Sequence, residues 1–333
     1  MESPRARRNR RARPSRRRPL VYTVLASVAV VGGTAAGTVY VKAQAHSGAR
    51  PVSSAASPDA AASAASEEAS VEPVAVPAVD YDGLLADALD AVAVPDDADV
   101  SVAVLDLDSG DSATYGDAAF DTASIVKVDI LAALLLQAQD EDRSLTAAEK
   151  SYATAMIENS DNASASALWR AIGKAAGLDA ANERFGLTGT EGGDGMLWGL
   201  TQTTAADQLA LLQQVFGDGS KLSETSRKYL QGLMGQIATD QHWGVSAAAD
   251  GSSWALKNGW LPRSTTGLWD INSIGRVTAA DGNDYLVVAL SNGNATKEKG
   301  ISLVESAARA AVSVFAGEST HASASAAATT ASQ

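Results

Sequence analysis

Alternating hydrophobic and polar residues predict where the strands and helices of this chain lie. Residues 100–107 alternate as a half-buried strand does, and strand-like runs return at residues 254–256, 268–277 and 285–291. Between them, residues 124–229 are rich in Ala and Leu at helical spacing. Because strands lie near both ends and helices between them, we expect an α/β fold of the α+β type, with one antiparallel sheet built from both ends of the domain and an inserted helical subdomain.

Two further helices and a turn complete this pattern. Residues 81–92 and residues 300–315 have helical spacing of apolar residues, the first before the earliest strand and the second after the last one. The sequence Asp-Ser-Gly-Asp at residues 108–111 is typical of a hairpin turn. We therefore expect the strand at residues 100–107 to pair with the segment that follows this turn.

The N-terminal segments are unlike the rest of the chain. Residues 1–19 form a basic cytoplasmic tail with nine arginines and a single acidic residue. Residues 20–41 carry no charge and have the roughly 20 residues that a membrane-spanning helix needs. They are either a signal anchor or a signal peptide cleaved near Ala45, and the preceding arginines keep the N-terminus inside. Both alternatives predict export, either to the cell membrane by a single N-terminal span with the folded domain outside, or by secretion.

Composition separates one folded domain from two disordered segments. Residues 42–79 form a linker of mainly Ala, Ser and Pro, and residues 318–333 are mainly Ala, Ser and Thr. Such segments bury too little apolar surface to offset the entropy of ordering, so both are predicted to be disordered. The remaining domain spans residues 80–317.

Charge and residue counts exclude several functions. The net charge of the chain is −13, and the basic tail contributes +8 of it. The rest of the chain therefore carries about −21, which argues against a nucleic acid partner. The chain has no cysteine, so a disulfide, a thiol nucleophile and a thiolate metal site are excluded. Only His242 of the three histidines lies in the predicted domain, and no G-x-S-x-G elbow is present, which disfavours a Ser-His-Asp triad. No metal and no cofactor are expected.

A first candidate motif lies at the start of the helical region. Ser124 and Lys127 follow Asp121 and Thr122, either of which can cap the helix. Residues at i and i+3 share one face of a helix, so the amine can take the proton of the hydroxyl group. A cation near a helix N-terminus opposes the macrodipole, which favours the neutral amine that a base needs. Alternatively, Lys127 is an ordinary residue of a helix surface.

A second motif is Ser160-Asp161-Asn162, before an Ala-rich helix. These residues can simply cap that helix. In a functional interpretation, the Ser160 hydroxyl passes a proton to a leaving nitrogen, Asn162 donates to the substrate and Asp161 supports the motif.

A third motif is Lys257-Asn258-Gly259-Trp260, on the strand that begins at residue 254. A lysine there can face a substrate carboxylate, and a glycine lets the substrate approach the backbone. The alternative is a strand that ends in an Asn-Gly turn. Among the tryptophans at 198, 260 and 269, only Trp260 adjoins a motif, so it is expected to line a ligand cleft.

The order S-x-x-K, S-D-N, K-x-G resembles the motif set of class A β-lactamases and penicillin-binding proteins, over residues 80–317. The resemblance implies that Ser124 is acylated, that Lys127 and Ser160 move protons, and that the substrate is a β-lactam or a peptidoglycan-peptide-like amide. It also implies that Lys257 holds the substrate carboxylate. The backbone N–H groups of Ser124 and Trp260 would form the oxyanion hole.

The sequence departs from that family in the loop that supplies the deacylating glutamate. The pattern E-x-x-L-N is absent from residues 186–204, where Glu191 is the only glutamate and lies among glycines. Glu191 is a candidate water-activating base or a solvated loop carboxylate. The third motif has Asn258 where Thr or Ser is usual, which predicts altered carboxylate binding.

These departures favour one functional hypothesis over two others. With acylation intact and the base missing, we expect a serine hydrolase that reacts with β-lactams or D-alanyl-peptide-like amides and hydrolyses β-lactams slowly. The alternatives are an efficient class A β-lactamase and a non-catalytic cell-envelope binding module that keeps the fold.

Overall fold

A computed structural model describes residues 79–330, and describes side chains up to residue 315. The predicted basic tail, the predicted membrane span at residues 20–41 and nearly all of the predicted linker lie outside the described residues. The boundaries proposed for these segments therefore stay predictions.

Five antiparallel strands form the main sheet, in the order β2-β1-β7-β6-β5. They are β1 (Asp99–Asp106), β2 (Ser112–Tyr115), β5 (Trp254–Pro262), β6 (Trp269–Thr278) and β7 (Asp284–Asn294). A second sheet joins the short strands β3 (Phe120–Asp121) and β4 (Gln202–Thr203). The N-terminal strand β1 pairs with the C-terminal strand β7, so the main sheet is built from both ends of the domain, as the sequence predicts.

The helices occupy both faces of this sheet and the long connection between β2 and β5. They are α1 (Tyr81–Asp90), α2 (Val126–Asp140), α3 (Ala147–Glu158), α4 (Asn162–Ala171), α5 (Lys174–Phe185), α6 (Ala205–Phe216), α7 (Glu224–Met234) and α8 (Lys297–Thr330). Helices α2 to α7 are the inserted helical subdomain, which confirms the predicted fold class. Helix α8 continues past the predicted domain end at residue 317.

The sheet separates two hydrophobic layers because successive side chains of a strand point to opposite faces. In β7, Leu286 and Val288 pack in the layer that contains α2, whereas Val287 and Ala289 pack in the layer with α1 and α8. Burial on both faces explains why β7 is a continuous apolar run rather than an alternating one.

Helix α2 lies at the centre of the inserted subdomain. Twelve of its fifteen residues are buried, including the charged residues Lys127 and Asp129. Burial of an ionisable group is costly unless the group is neutral or well paired. The two buried charged positions of this helix are therefore where function or strong pKa shifts are expected.

Candidate active site

Lys127 is the centre of a hydrogen-bond network that joins the first two motifs. Its Nζ lies 2.9 Å from Ser124 Oγ, 2.7 Å from the Ser160 carbonyl oxygen, 2.9 Å from Ser160 Oγ and 2.8 Å from Asn162 Oδ1. Ser124 lies in a short 3-10 turn that leads directly into α2, so its side chain is one turn from Lys127. The predicted geometry, with an amine within hydrogen-bond reach of the serine oxygen, is confirmed.

The environment of Lys127 favours its neutral form. The side chain is fully buried, and this burial lowers the pKa of Lys127 to about 7, against the opposing effect of Asp161. A neutral amine has two N–H donors and one lone pair. The Ser160 carbonyl oxygen and the Asn162 amide oxygen can only accept hydrogen bonds, so they can bind both N–H groups of the neutral Lys127 amine. The lone pair of the amine is then left to accept a hydrogen bond from a hydroxyl group. Lys127 is thus built to accept the proton of Ser124.

Two non-glycine residues next to this network have left-handed backbone conformations. Ala123, before the nucleophile, has φ +48°, and Ser160 has φ +54°. Such conformations cost on the order of 1–3 kcal/mol each and persist where the surrounding structure imposes them. At Ser160, this conformation accompanies a carbonyl oxygen and a hydroxyl oxygen that both contact Lys127.

The S-D-N motif both caps a helix and builds the site. Asp161 is the N-cap of α4, and its carboxylate accepts a hydrogen bond from the Ser164 backbone N–H at 2.6 Å. Ser160 and Asn162, on either side of it, contact Lys127 instead. The capping interpretation is thus correct for Asp161, whereas the roles predicted for Ser160 and Asn162 in proton transfer and substrate binding stay predictions.

The third motif adds a second lysine to the same hydroxyl group. Lys257 Nζ donates to Ser160 Oγ at 3.1 Å and to the Asn258 carbonyl oxygen at 2.8 Å, and its side chain is fully buried. Burial, and then the positive charge of Lys127, lower the pKa of Lys257 well below its usual value. Ser160 Oγ thus connects the two lysines in one hydrogen-bond network.

The prediction that the Asn258 side chain binds substrate is wrong. Its Nδ2 donates to the carbonyl oxygens of Gln241 and Trp243 at 2.8 and 3.0 Å, and its Oδ1 accepts from Ser273 Oγ at 2.6 Å. The alternation of β5 places Lys257 on the face of α2 and Asn258 on the opposite face, where it is fully buried. Asn258 is therefore a structural residue that secures the segment containing Trp243.

Gly259 is required by a close backbone contact with the turn of the nucleophile. A Cβ at this position would lie 2.7 Å from the Thr122 carbonyl oxygen and 2.8 Å from the Ser124 backbone nitrogen. Strand β5 therefore lies directly against the turn of the nucleophile. This contact brings the Ser124 N–H and the Trp260 segment together, which is the arrangement that the predicted oxyanion hole needs.

The side chain of Trp260 lies among aromatic and cationic groups beside the site. Its ring centroid is 6.0 Å from that of Trp243, and Lys297 Nζ lies 4.3 Å from the Trp260 ring. These contacts place the Trp260 side chain beside the start of α8, in the layer on the sheet face opposite α2.

Trp198, which the sequence analysis considered but did not select, lies next to Lys127. Its ring centroid is 5.0 Å from Lys127 Nζ, and its Nε1 donates to Ser166 Oγ at 3.1 Å. Trp198 lies in the loop in which the E-x-x-L-N pattern is absent. The sequence offered only one signal, namely that Trp198 is the single tryptophan of this loop.

Glu191, the candidate deacylating base, is not part of the network. Its side chain is exposed, and its backbone pairs with Gln202. Among the described residues, no hydrogen bond joins Glu191 to Ser124, Lys127 or Ser160. The structure favours the interpretation of Glu191 as a solvated loop carboxylate.

The helix cap predicted before Ser124 is not formed. Thr122 makes no capping hydrogen bond, and its buried hydroxyl has no partner among the described residues. The Asp121 carboxylate instead accepts hydrogen bonds from Arg263 and Gln202. Asp121 therefore ties the nucleophile turn to β4 and to the end of β5.

The fold and this arrangement of two serines and two lysines define a β-lactamase-like, penicillin-recognising serine hydrolase. The model of the beta-lactamase enzyme family matches residues 84–150 and 146–315. The chain belongs to this family. A search of curated protein sequences found no match.

Solved structures of the same fold include penicillin-recognising proteins and β-lactamases. PBP-A is 22% identical, with a TM-score of 0.61 over 71% of this chain and 96% of that chain, and a mutant of PBP-A was solved as an acyl-enzyme complex with penicillin G. The TLA-1 extended-spectrum β-lactamase is 15% identical, with a TM-score of 0.61 over 71% of this chain and 98% of that chain. A β-lactamase from Chitinophaga pinensis is 19% identical, with a TM-score of 0.57 over 69% of this chain and 96% of that chain. At these identities the likeness is one of fold.

Within residues 79–330, no helix is both long and apolar enough to cross a bilayer. The same residues contain no cluster of three or more His, Asp or Glu side chains that could hold a metal ion.

Proposed function

We propose that this protein is an exported serine hydrolase that forms an acyl-enzyme on Ser124 with β-lactams or D-alanyl-peptide-like amides, and that it hydrolyses β-lactams slowly. One observation carries the proposal: Ser124 Oγ lies 2.9 Å from the buried amine of Lys127, whose pKa is lowered to about 7. A nucleophile and a base at hydrogen-bond distance are the minimum that covalent acyl transfer needs.

Acylation follows from this geometry. The Ser124 hydroxyl passes its proton to the neutral amine of Lys127 while Oγ attacks the carbonyl carbon of the amide. The negative charge that develops on the carbonyl oxygen is stabilised by the backbone N–H groups of Ser124 and Trp260. The close contact of Gly259 with the Ser124 turn supports this pairing of donors.

The second proton transfer uses Ser160. As the carbon–nitrogen bond breaks, the leaving nitrogen takes the proton of the Ser160 hydroxyl, and Ser160 recovers a proton from Lys127 at 2.9 Å. Lys257, at 3.1 Å from the same oxygen, donates to Ser160 Oγ and stabilises negative charge there. The cycle leaves the acyl group on Ser124 Oγ and a neutral amine. This amine is released from a peptide substrate, and it stays attached to the acyl group when the substrate is a β-lactam.

Slow release of the acyl group is supported by what surrounds Lys127. Hydrolysis of the ester needs a base that activates water, and such a base typically contributes 10²–10⁴-fold to a rate. The indole of Trp198 lies over Lys127. It occupies the position from which a carboxylate in contact with the lysine could activate a water molecule. Glu191 is exposed and outside the network. The acyl-enzyme is therefore expected to persist.

The cellular location is part of the proposal. The uncharged segment at residues 20–41, preceded by arginines, supports either a single membrane anchor with the catalytic domain outside or secretion after cleavage near Ala45. An outside location gives the enzyme access to cell-wall peptides and to β-lactams. Fractionation of cells that express the full chain, with protease added from outside, tests this part.

Intact-protein mass spectrometry with benzylpenicillin tests the chemistry. The expected result is one adduct per chain that persists for hours, with no adduct on a Ser124→Ala variant of unchanged thermal stability. An adduct that disappears within seconds, with continuous turnover of a chromogenic cephalosporin, would instead identify an efficient β-lactamase. Absence of any adduct would overturn the proposal in favour of a non-catalytic envelope module.

A further inference from the structure

A segment of the chain that the acylation mechanism does not use lies beside the leaving nitrogen of the substrate. Residues 238–243 form this segment, which we call the leaving-group wall. Its first residue donates from its backbone N–H to the Glu158 carbonyl oxygen at 2.8 Å, and the Gln241 carbonyl oxygen accepts from Asn258 Nδ2 at 2.8 Å. Glu158 lies two residues before Ser160, which protonates the leaving nitrogen. The wall therefore spans the gap between the S-D-N motif and β5.

The N–H donors of Lys257 are already in use at this place. The resemblance of the motifs implies that Lys257 holds a substrate carboxylate. In the structure, its Nζ donates to Ser160 Oγ at 3.1 Å and to the Asn258 carbonyl oxygen at 2.8 Å, and its side chain is fully buried. Burial, and then the charge of Lys127, lower the pKa of Lys257, which favours the neutral amine with two N–H donors and one lone pair. Both donors are thus bonded to the protein, and the lone pair repels an anion.

The amide group of Asn258 is committed in the same way. Its two N–H donors are bonded to the carbonyl oxygens of Gln241 and Trp243, at 2.8 and 3.0 Å. Its Oδ1 accepts from Ser273 Oγ at 2.6 Å, and the side chain is fully buried. Because an amide nitrogen has only these two donors, Asn258 cannot bind a substrate carboxylate while it secures the wall.

The charged side chains near the wall are acidic. Asp240 is exposed in the middle of the wall, and Glu158 is half-buried at the end of α3. Residues 155–163 and 236–243 contain no lysine and no arginine, and His242 directs its Nε2 to a backbone carbonyl oxygen at 3.0 Å. A carboxylate next to the scissile nitrogen is joined to it through one carbon atom, so it would lie against this wall. Like charges at short range disfavour such binding.

The arginines of the domain are engaged elsewhere. Six of the seven arginines in residues 79–315 form ion pairs with carboxylates outside the wall and the S-D-N motif. The seventh, Arg170, is eight residues beyond Asn162 in α4, which is about 12 Å along the helix axis. Arg263 follows Lys257 by six residues, which is about 20 Å of extended chain. Within residues 79–315, the arginines are therefore not placed to hold a carboxylate beside Ser160.

We propose that the preferred substrates carry no free carboxylate next to the scissile nitrogen, and that the enzyme cleaves internal or amidated peptide bonds. The inference rests on the proposed acylation of Ser124 and narrows its amide substrates to those with a neutral group at this position. β-Lactams with a free carboxylate still acylate Ser124, but that group does not speed the reaction. A peptide chain that continues in place of the carboxylate meets the exposed Thr239 hydroxyl and the polar backbone of the wall, which can bond to it.

Benzylpenicillin and its methyl ester test this proposal on the full chain. They differ only in the carboxyl group next to the β-lactam nitrogen, which is charged in the acid and neutral in the ester. The second-order rate constant of acylation is measured by mass spectrometry at pH 7.5 and low ionic strength. Each value is divided by the rate constant for hydrolysis of the same compound by hydroxide, which corrects for its intrinsic reactivity.

The corrected rate constant of the ester is expected to be at least as large as that of the acid. A hydrogen bond from a charged Lys257 to the carboxylate would instead favour the acid by about tenfold or more. A faster reaction of the acid in the wild type would therefore overturn the proposal.

Charge reversal at position 240 tests whether the wall faces the leaving group. Asp240→Lys should raise the ratio of the acid rate to the ester rate about three- to tenfold at low ionic strength, because it places a cation beside the carboxylate of the acid. Asp108→Lys is the matched control, since it makes the same change of net charge at the exposed β1–β2 turn, at the opposite edge of the sheet. It should keep the wild-type ratio. Equal ratios in the two variants would overturn the proposal.

The outcomes separate this inference from the proposed function. If the acid labels the wild type faster than the ester, the substrate class is overturned while acylation of Ser124 stands. If neither compound labels the wild type, the proposed function fails, and equilibrium binding of the acid and the ester to the Ser124→Ala variant then decides the inference. Tighter binding of the acid in that experiment would overturn it.

Discussion

Replacement of the buried Asp129 by asparagine is expected to remove a large pH dependence of stability. Asp129 is fully buried in α2, and burial raises its pKa from 3.8 to about 8, while a hydrogen bond from Asn182 opposes the shift and the nearby Asp179 and Asp207 add to it. With the Asn182 amide nitrogen facing the carboxylate, the two N···O distances are 3.0 and 3.2 Å. The carboxyl group is thus kept neutral at neutral pH, as its surroundings require.

The sign and size of the effect follow from linkage. Because the folded-state pKa is raised, the native state binds more protons than the unfolded state between about pH 4 and pH 8, so stability falls as the pH rises through that window. Four pH units at about 1.36 kcal/mol each give a loss on the order of 5 kcal/mol, complete above pH 8. The Asp129→Asn variant keeps the shape of the side chain and cannot ionise, so it lacks this loss.

Urea unfolding at pH 5, 6, 7 and 8 measures the difference. The free energy of unfolding of Asp129→Asn, relative to wild type, should increase by roughly 1 kcal/mol with each pH unit. Asp108→Asn, an equivalent change at an exposed turn position, should follow the wild type throughout. A difference between Asp129→Asn and wild type that is the same at pH 5 and pH 8 would refute the reasoning.

Three further predictions concern the site itself. The rate of acylation by benzylpenicillin should rise with pH, with a midpoint of about 7, and level off above pH 8, because only the neutral amine of Lys127 accepts the Ser124 proton. Gly259→Ala should slow acylation about 100-fold, since the new Cβ would lie 2.8 Å from the Ser124 nitrogen and displace an oxyanion donor. Trp198→Glu should shorten the lifetime of the adduct about 100-fold, because it places a carboxylate beside Lys127.

Each of these predictions has a contrary outcome. A flat pH profile between 5 and 8 would argue against Lys127 as the base. Acylation of Gly259→Ala at the wild-type rate would show that the contact of β5 with the nucleophile turn does not position the oxyanion donors. For the adduct lifetime, Trp198→Phe is the matched control, and equal lifetimes in the Phe and Glu variants would show that deacylation is not limited by the missing carboxylate.

The fold could be predicted because its signals are local and periodic. The alternation at residues 100–107 and the strand-like runs near the C-terminal end each correspond to a strand of the main sheet. Strands β3 and β4 were missed because two residues are too few to show a period. Their pairing depends on contacts over about 80 residues of chain, which no local pattern reports.

The catalytic residues could be predicted where a motif stands for a required chemistry, and not elsewhere. Ser124, Lys127 and Ser160 form the expected network. Each motif alone has other uses, and the prediction rested on the three motifs occurring together in one order. Asn258 was assigned wrongly because motif position does not tell which face of a strand a side chain occupies. Trp198 belongs to no motif, and only the packing of a distant segment brings it next to Lys127.

The pairing of β1 with β7 has a consequence for the connectivity of the molecule. It brings the first and last helices together, so that the rings of Tyr81 and Phe315 are 4.9 Å apart on the sheet face opposite the nucleophile. A circular permutant can therefore join the two ends by a short Gly/Ser bridge and open the chain at the exposed turn around Gly110. In such a permutant, a fused N-terminal segment would join the domain at the turn around Gly110 instead of at α1. Ser124, Lys127 and Lys257 would keep their order and spacing.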